Sequence, residues 1–136
     1  MQPAPINKKP LTLNPCLRHA TPVDPEFAAS QHFLKVLHTE MQQTIHPDMT
    51  FHELFEWTNQ RINSAGFENL DFLGNVGHSI ATRRRDRQYI KDKNNRRLRE
   101  VPFFTFEPHL RQVRGRWGFK HENIFYFNRE GSLEEL

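Results

Sequence analysis

The chain has 136 residues, 36% of them hydrophobic, which suits one domain with a modest core to which twelve Phe give much of the bulk. No apolar run approaches the length needed to cross a bilayer, and the opening MQPAPINKKPLTLNP carries two Lys with no apolar stretch behind them, which argues against a secretory signal. Net charge is +3, and the single cysteine, Cys16, excludes an intramolecular disulfide and points to a reducing, cytoplasmic setting.

Residues 1–23 are proline-rich and show no clear period, as expected of a tail or connecting segment. Residues 24–46 read as a helix: Asp24 is a good N-cap, Pro25 suits the first helical position, and Phe27, Leu34, Leu37, Met41 and Ile45 form one stripe. HPD at 46–48 ends it, because the residue before a proline avoids the helical region. A second helix is expected over 50–65. Thr50 and Glu53 have the spacing of a capping box, Met49 and Leu54 that of a hydrophobic staple, and Gly66 is placed to close the helix. Its inward face would be Phe51, Leu54, Phe55, Thr58 and Ile62.

Beyond Gly66 the period changes. FLGNVGHSIA (72–81), VPFFTFEP (101–108, ended by Pro108) and WGFKHENIFYFN (117–128) read as three strands. Helices followed by strands predict an α+β layer structure over 24–136, with both helices packed on one face of a curved antiparallel sheet. Between the first two strands, residues 83–100 hold nine Arg or Lys against three acids. Such a run reads first as a solvated loop or hairpin. Its alternative, an anionic or nucleic-acid partner with Tyr89 stacking a base, ranks last because no recognition motif accompanies the charge.

Three side chains stand out chemically. Glu107 ends an apolar strand and Glu122 sits in an aromatic one; a carboxylate in a buried strand is costly unless paired or metal-bound. Glu107 can simply accept bonds from Arg or backbone N–H groups, and Glu122 can pair with Lys120 on its own strand face. His78, after Gly77, can be a structural hydrogen-bonder, yet neutral imidazole is also the commonest nitrogen ligand of a metal. One His and two Glu make an oxygen-rich set for Zn, Mn, Fe or Co.

The motifs GNVGHSIA, FFTFEPHL, GFKHENIFYFN and GSLEEL, in that order and preceded by HPDMTFHELFEW, resemble those of the pita-bread metallopeptidases, the group of creatinase, aminopeptidase P and methionine aminopeptidase. The resemblance spans about residues 22–136 and implies the C-terminal half of such a catalytic domain, hence a partial pita-bread fold. It implies peptide-bond hydrolysis by metal-activated water, of the Xaa-Pro aminopeptidase type. In that group two ions share two Asp, one His and two Glu. His78 matches the ligand His, Glu107 and Glu122 the two Glu, and His109 and His121 adjoin them as outer-shell candidates. No residue is assigned as catalytic.

The departures are as informative. No Asp precedes Asp24, and the position of the second ligand Asp falls near Cys16. A further family histidine falls at Arg85, the usual Arg before the last Glu is Lys120, and the usual glycine after EP is His109. Two readings follow: a truncated metallopeptidase holding one divalent ion rather than two, or a non-catalytic pita-bread remnant acting as a binding module. Expected partners are a peptide substrate, if the chain is active, and either a second copy or a covering segment over the open face of the half-domain; no membrane is expected.

Overall fold

A computed structural model describes residues 24–136. The expected tail at 1–23, Cys16 included, lies outside the described residues.

Helix α1 runs Pro25–Thr44. The Asp24 carboxylate accepts the Glu26 N–H at 2.9 Å, which satisfies one of the donors that a helix start leaves unpaired. Leu34, Leu37, Met41 and Ile45 are buried as the stripe requires, and Phe33 joins them. Burial of each such side chain contributes about 1.5–3 kcal/mol. Phe27 does not join the core: it is 37% exposed and meets Trp117 and Phe119 edge-on at 5.9 and 5.2 Å. The helix also stops at Thr44, short of the expected 46, because Ile45 turns extended while its N–H still bonds Met41 O.

Helix α2 runs Phe51–Ser64. The capping box is formed in both directions: Glu53 N–H donates to Thr50 Oγ1 at 3.0 Å, and Thr50 N–H donates to Glu53 Oε1 at 2.9 Å. Two further first-turn donors, the N–H groups of Phe51 and His52, bond the carbonyls of Arg96 and Asn94, so the basic segment caps this helix from outside. Phe51, Leu54, Thr58 and Ile62 are buried and Phe55 is half-buried. Ala65 is the cap, and Gly66, at φ +86°, turns the chain toward the sheet.

The strands depart most from expectation. Among the described residues, six short strands replace three long ones: β1 (Phe67–Asn69), β2 (Phe104–Phe106), β3 (His109–Gln112), β4 (Phe119–Lys120), β5 (Asn123–Phe127) and β6 (Leu133–Glu135). They form two three-stranded antiparallel sheets, ordered β1-β3-β4 and β2-β5-β6. β2 ends before Pro108 as expected, and a new strand, β3, begins directly after it; Pro108 divides the two, since it has no N–H to pair. The strand expected at 117–128 divides likewise at His121–Glu122. The registers Phe106↔Asn123 and His109↔Lys120 set these two breaks opposite each other.

The stretch expected as a strand at 72–81 begins with a turn at 71–74 and is extended only from Val76. There Thr105 N–H bonds His78 O at 2.7 Å and Glu107 N–H bonds Val76 O at 2.8 Å, while Ile90 N–H bonds Gly77 O at 2.9 Å on the other side. Residues 76–80 therefore lie between 88–90 and β2. The basic segment is a mostly exposed loop with two short 3-10 turns, Arg84–Asp86 and Leu98–Glu100, pinned by the fully buried Ile90 and Leu98. The helices contact the first sheet, α1 on β3 and β4 and α2 on β1, and their core joins Phe104, Phe106 and Phe125 of the second. This is the expected α+β arrangement of two helices on an antiparallel sheet. Among the described residues no helix is long and apolar enough to cross a membrane.

Candidate metal centre

The site grows from a close approach of two backbones. A Cβ on Gly77 would stand 2.1 Å from Thr105 O, so only glycine lets residues 76–80 pack this tightly against β2. His78 is then fixed from both ends. Its N–H donates to Thr105 Oγ1 at 3.1 Å, and its ring Nδ1 lies 2.8 Å from Ser79 O. A carbonyl only accepts, so that contact places the proton on Nδ1 and leaves Nε2 a lone pair.

Nε2 faces Glu107. The separation Nε2–Oε2 is 3.4 Å, and Oε2 is buried without a hydrogen-bond partner. The other oxygen, Oε1, receives Lys120 Nζ at 2.9 Å. Burial pushes the Glu107 carboxyl up, but the hydrogen bonds of the Thr105 hydroxyl and the Lys120 ammonium, with that ammonium's charge, outweigh it and hold the group below the usual carboxylate range. The ion pair in turn raises Lys120 against the opposing effect of burial, with Glu122 and Asp71 adding their charge.

Two acceptors facing each other are unfavourable unless something positive sits between them. Adjacent ligands about 2.1 Å from a tetrahedral ion stand about 3.4 Å apart. The Nε2–Oε2 separation has that value, and the donor pair, one imidazole nitrogen and one carboxylate oxygen, suits the borderline divalent metals. His78 and Glu107 therefore fit a divalent cation.

A cavity of about 280 Å³ opens at this pair, lined also by Asp71, Arg87, His109 and Lys120. Asp71 is held in its loop because its Oδ2 accepts the N–H groups of Leu73 and Asn75. Of the sequence candidates the structure thus brings together His78, Glu107 and His109. Glu122 is not buried in a strand. It is exposed, in the break between β4 and β5 opposite Glu107–Pro108, and outside the cavity lining. Nor does it take Lys120 as its partner, because that ammonium crosses to the more buried Glu107.

His121 is also outside the cavity. Its carbonyl accepts the ring Nε2–H of His38 at 3.0 Å, and the two rings meet edge-on at 4.7 Å. His38 escaped sequence reasoning; its one signal is that it lies on the α1 stripe beside Leu34 and Met41. Burial, and then the neighbouring His121, push its pKa down to about 4.

Sequence reasoning also missed a second cluster, His52, Glu56 and Asp92, whose ligand atoms lie within 4.8 Å of one another. His52 sits one helical turn before Glu56, the only signal in the sequence. Here Nδ1 accepts the Lys93 N–H at 2.9 Å, so the ring proton must sit on Nε2. Neither nitrogen offers a free lone pair, and both acids are exposed, so this cluster is the poorer cation site.

The model of Metallopeptidase family M24 matches residues 18–129. Among solved structures, an X-Pro aminopeptidase from Thermotoga maritima MSB8 superposes with TM-score 0.65 at 19% identity, covering 82% of this chain and 31% of that one. The dipeptidase PepE from Mycobacterium ulcerans superposes with TM-score 0.59 at 21% identity, covering 82% of this chain and 30% of that one. At such identities the likeness is one of fold, and the chain spans about a third of the length of either enzyme. No curated protein sequence matches the chain.

Proposed function

The chain belongs to Metallopeptidase family M24, and on that premise we propose that His78 and Glu107, joined by Glu122, hold a divalent cation and take part in hydrolysis of a peptide bond of the Xaa-Pro type. The observation that carries the reading is the lone pair of His78 Nε2 set 3.4 Å from the buried, unpartnered Oε2 of Glu107.

A divalent cation bound there supplies Lewis acidity toward a peptide carbonyl. The chain's own residues do the rest. Ser79 O fixes the His78 tautomer, as second-shell acceptors do for metal-bound imidazoles. Glu107, ionised at neutral pH, offsets charge in the site. His109 closes one wall of the cavity, while His121 braces α1 through His38. Glu122, exposed in the strand break, is free to turn toward the ion or toward ligands from elsewhere.

The fold match covers less than a third of either enzyme's length, which supports reading residues 24–136 as only part of the machinery. We read the chain as part of a longer catalytic domain, working in a reducing compartment such as the cytoplasm. The remaining carboxylates would come from a covering segment or a second chain, with one ion rather than two held by these residues alone. The occupation of Glu107 by Lys120 favours one other reading, a binding module that keeps the fold without the reaction.

Hydrolysis of X-Pro peptides by the full chain with added Mn²⁺, compared with Glu107→Ala, separates these. Turnover abolished by Glu107→Ala supports the peptidase. Mn²⁺ binding without turnover supports the module. Turnover that survives Glu107→Ala and Glu122→Ala together overturns the site.

A further inference from the structure

We propose that Lys120 is a built-in competitor for the cation: its ammonium holds Oε1 of Glu107, so a divalent ion between Oε2 and His78 Nε2 meets that positive charge across one carboxylate, and Lys120 sets the metal affinity of the site. The proposal rests on the metal-site reading above. It starts from the unequal treatment of the two Glu107 oxygens. Oε2 is buried and unpartnered beside His78, whereas Oε1 holds the Lys120 ammonium at 2.9 Å.

The two side chains differ in freedom. Glu107 is 16% exposed and fixed by the bond of its own N–H to Val76 O; Lys120 is 46% exposed on a flexible stem. The ammonium can therefore return to water while the carboxylate cannot follow it. Asp71, also on the cavity wall, offers the displaced ammonium another counter-ion.

Backbone pairing keeps the competitor at hand. Lys120 is in register with His109, just below the paired strand breaks, so its head group is tethered within reach of Glu107 whatever the solution contains. The loop before β4 is anchored in turn, since Glu26 Oε2 of α1 accepts the N–H groups of Arg116 and Trp117 at 2.8 and 2.9 Å.

Two consequences of opposite sign follow. Without the ammonium, Glu107 in the ion-free protein is a largely buried carboxylate with its main counter-charge gone, which destabilises the fold. With a cation bound, the same ammonium is a positive charge close to a dication, so its removal tightens binding. A lysine with a merely structural role would lose stability on replacement and gain no affinity.

The test is calorimetric titration of the full chain with Mn²⁺ alone, together with thermal unfolding with and without Mn²⁺, for wild type, Lys120→Met and Lys120→Arg. Lys120→Met is expected to melt lower without the ion, to bind Mn²⁺ about tenfold tighter or more, and to gain more in Tm from Mn²⁺ than wild type does. Lys120→Arg, which keeps the charge, should stay near wild type. Equal affinity in wild type and Lys120→Met overturns this proposal and leaves the metal site standing, as does tightening in Lys120→Arg. Binding of Mn²⁺ by none of the three overturns both.

Discussion

His78 and Glu107 were legible as residues because each sits beside a backbone feature with a physical reason. Gly77 allows the close approach to Thr105, and Pro108 makes the strand break in which Glu107 sits. Their mutual geometry was not legible, because the 3.4 Å contact depends on pairing of segments almost thirty residues apart. For the same reason the partner of Lys120 was misassigned: on one strand Glu122 is nearest in sequence, but across strands Glu107 is nearer and more buried. Glu107→Gln keeps the shape and removes the charge, and His78→Ala removes the nitrogen; each is expected to cost the chain its Mn²⁺, as read by equilibrium dialysis. His38 makes a separate prediction about pH. Its folded pKa of about 4 lies below the ordinary 6.5, so between those values the unfolded chain binds a proton that the native one does not. The stability this group confers is complete above pH 6.5 and is lost as pH falls toward 4, at most about 3 kcal/mol. Denaturant midpoints measured from pH 7 to 4 should fall less steeply for His38→Gln than for wild type; parallel curves would contradict this role.

Among the elements, the helices were readable and the strands only in outline. Helix signals are local: Asp24 with Pro25, and Thr50 with Glu53, lie within one turn of the bonds they make. Strand limits are set by distant partners: Pro108 marked the break after β2, but the division of 117–128 at His121–Glu122 left no clear mark in its own segment, and β1 and β6 are too short to show a period. Thr50→Ala removes one side of the capping box and should lower stability by about 1 kcal/mol in denaturant unfolding, with little change in Mn²⁺ binding. Gly77→Ala is expected to be far worse. Its new methyl would meet the Thr105 carbonyl at 2.1 Å, forcing 76–80 away from β2 and carrying His78 from Glu107. Stability and metal binding should fall together in that variant; a stable Gly77→Ala protein that binds Mn²⁺ as wild type does would contradict the packing described for the site.

At the scale of the whole molecule, the chain is one unit of helices on antiparallel sheet that matches about a third of two much longer pita-bread enzymes. The partial fold was legible from the order of motifs, and the same motifs led us to expect a second copy or a covering segment over it. Phe72 and Leu73, 98% and 66% exposed, stand beside Asp71 at the cavity wall. Apolar surface of this kind, next to a site short of ligands, predicts association. Sedimentation of the full chain at high concentration should show species larger than a monomer, and a persistent monomer would count against a second copy as the cover. The central claim is nevertheless the cation site itself. Its most direct test is the Mn²⁺ content per chain after loading and desalting, for wild type, Glu107→Gln and His52→Ala. The account predicts about one ion per chain in wild type and His52→Ala, and none in Glu107→Gln. Retention of the ion by Glu107→Gln with its loss in His52→Ala would move the site to the cluster on α2 and contradict the account.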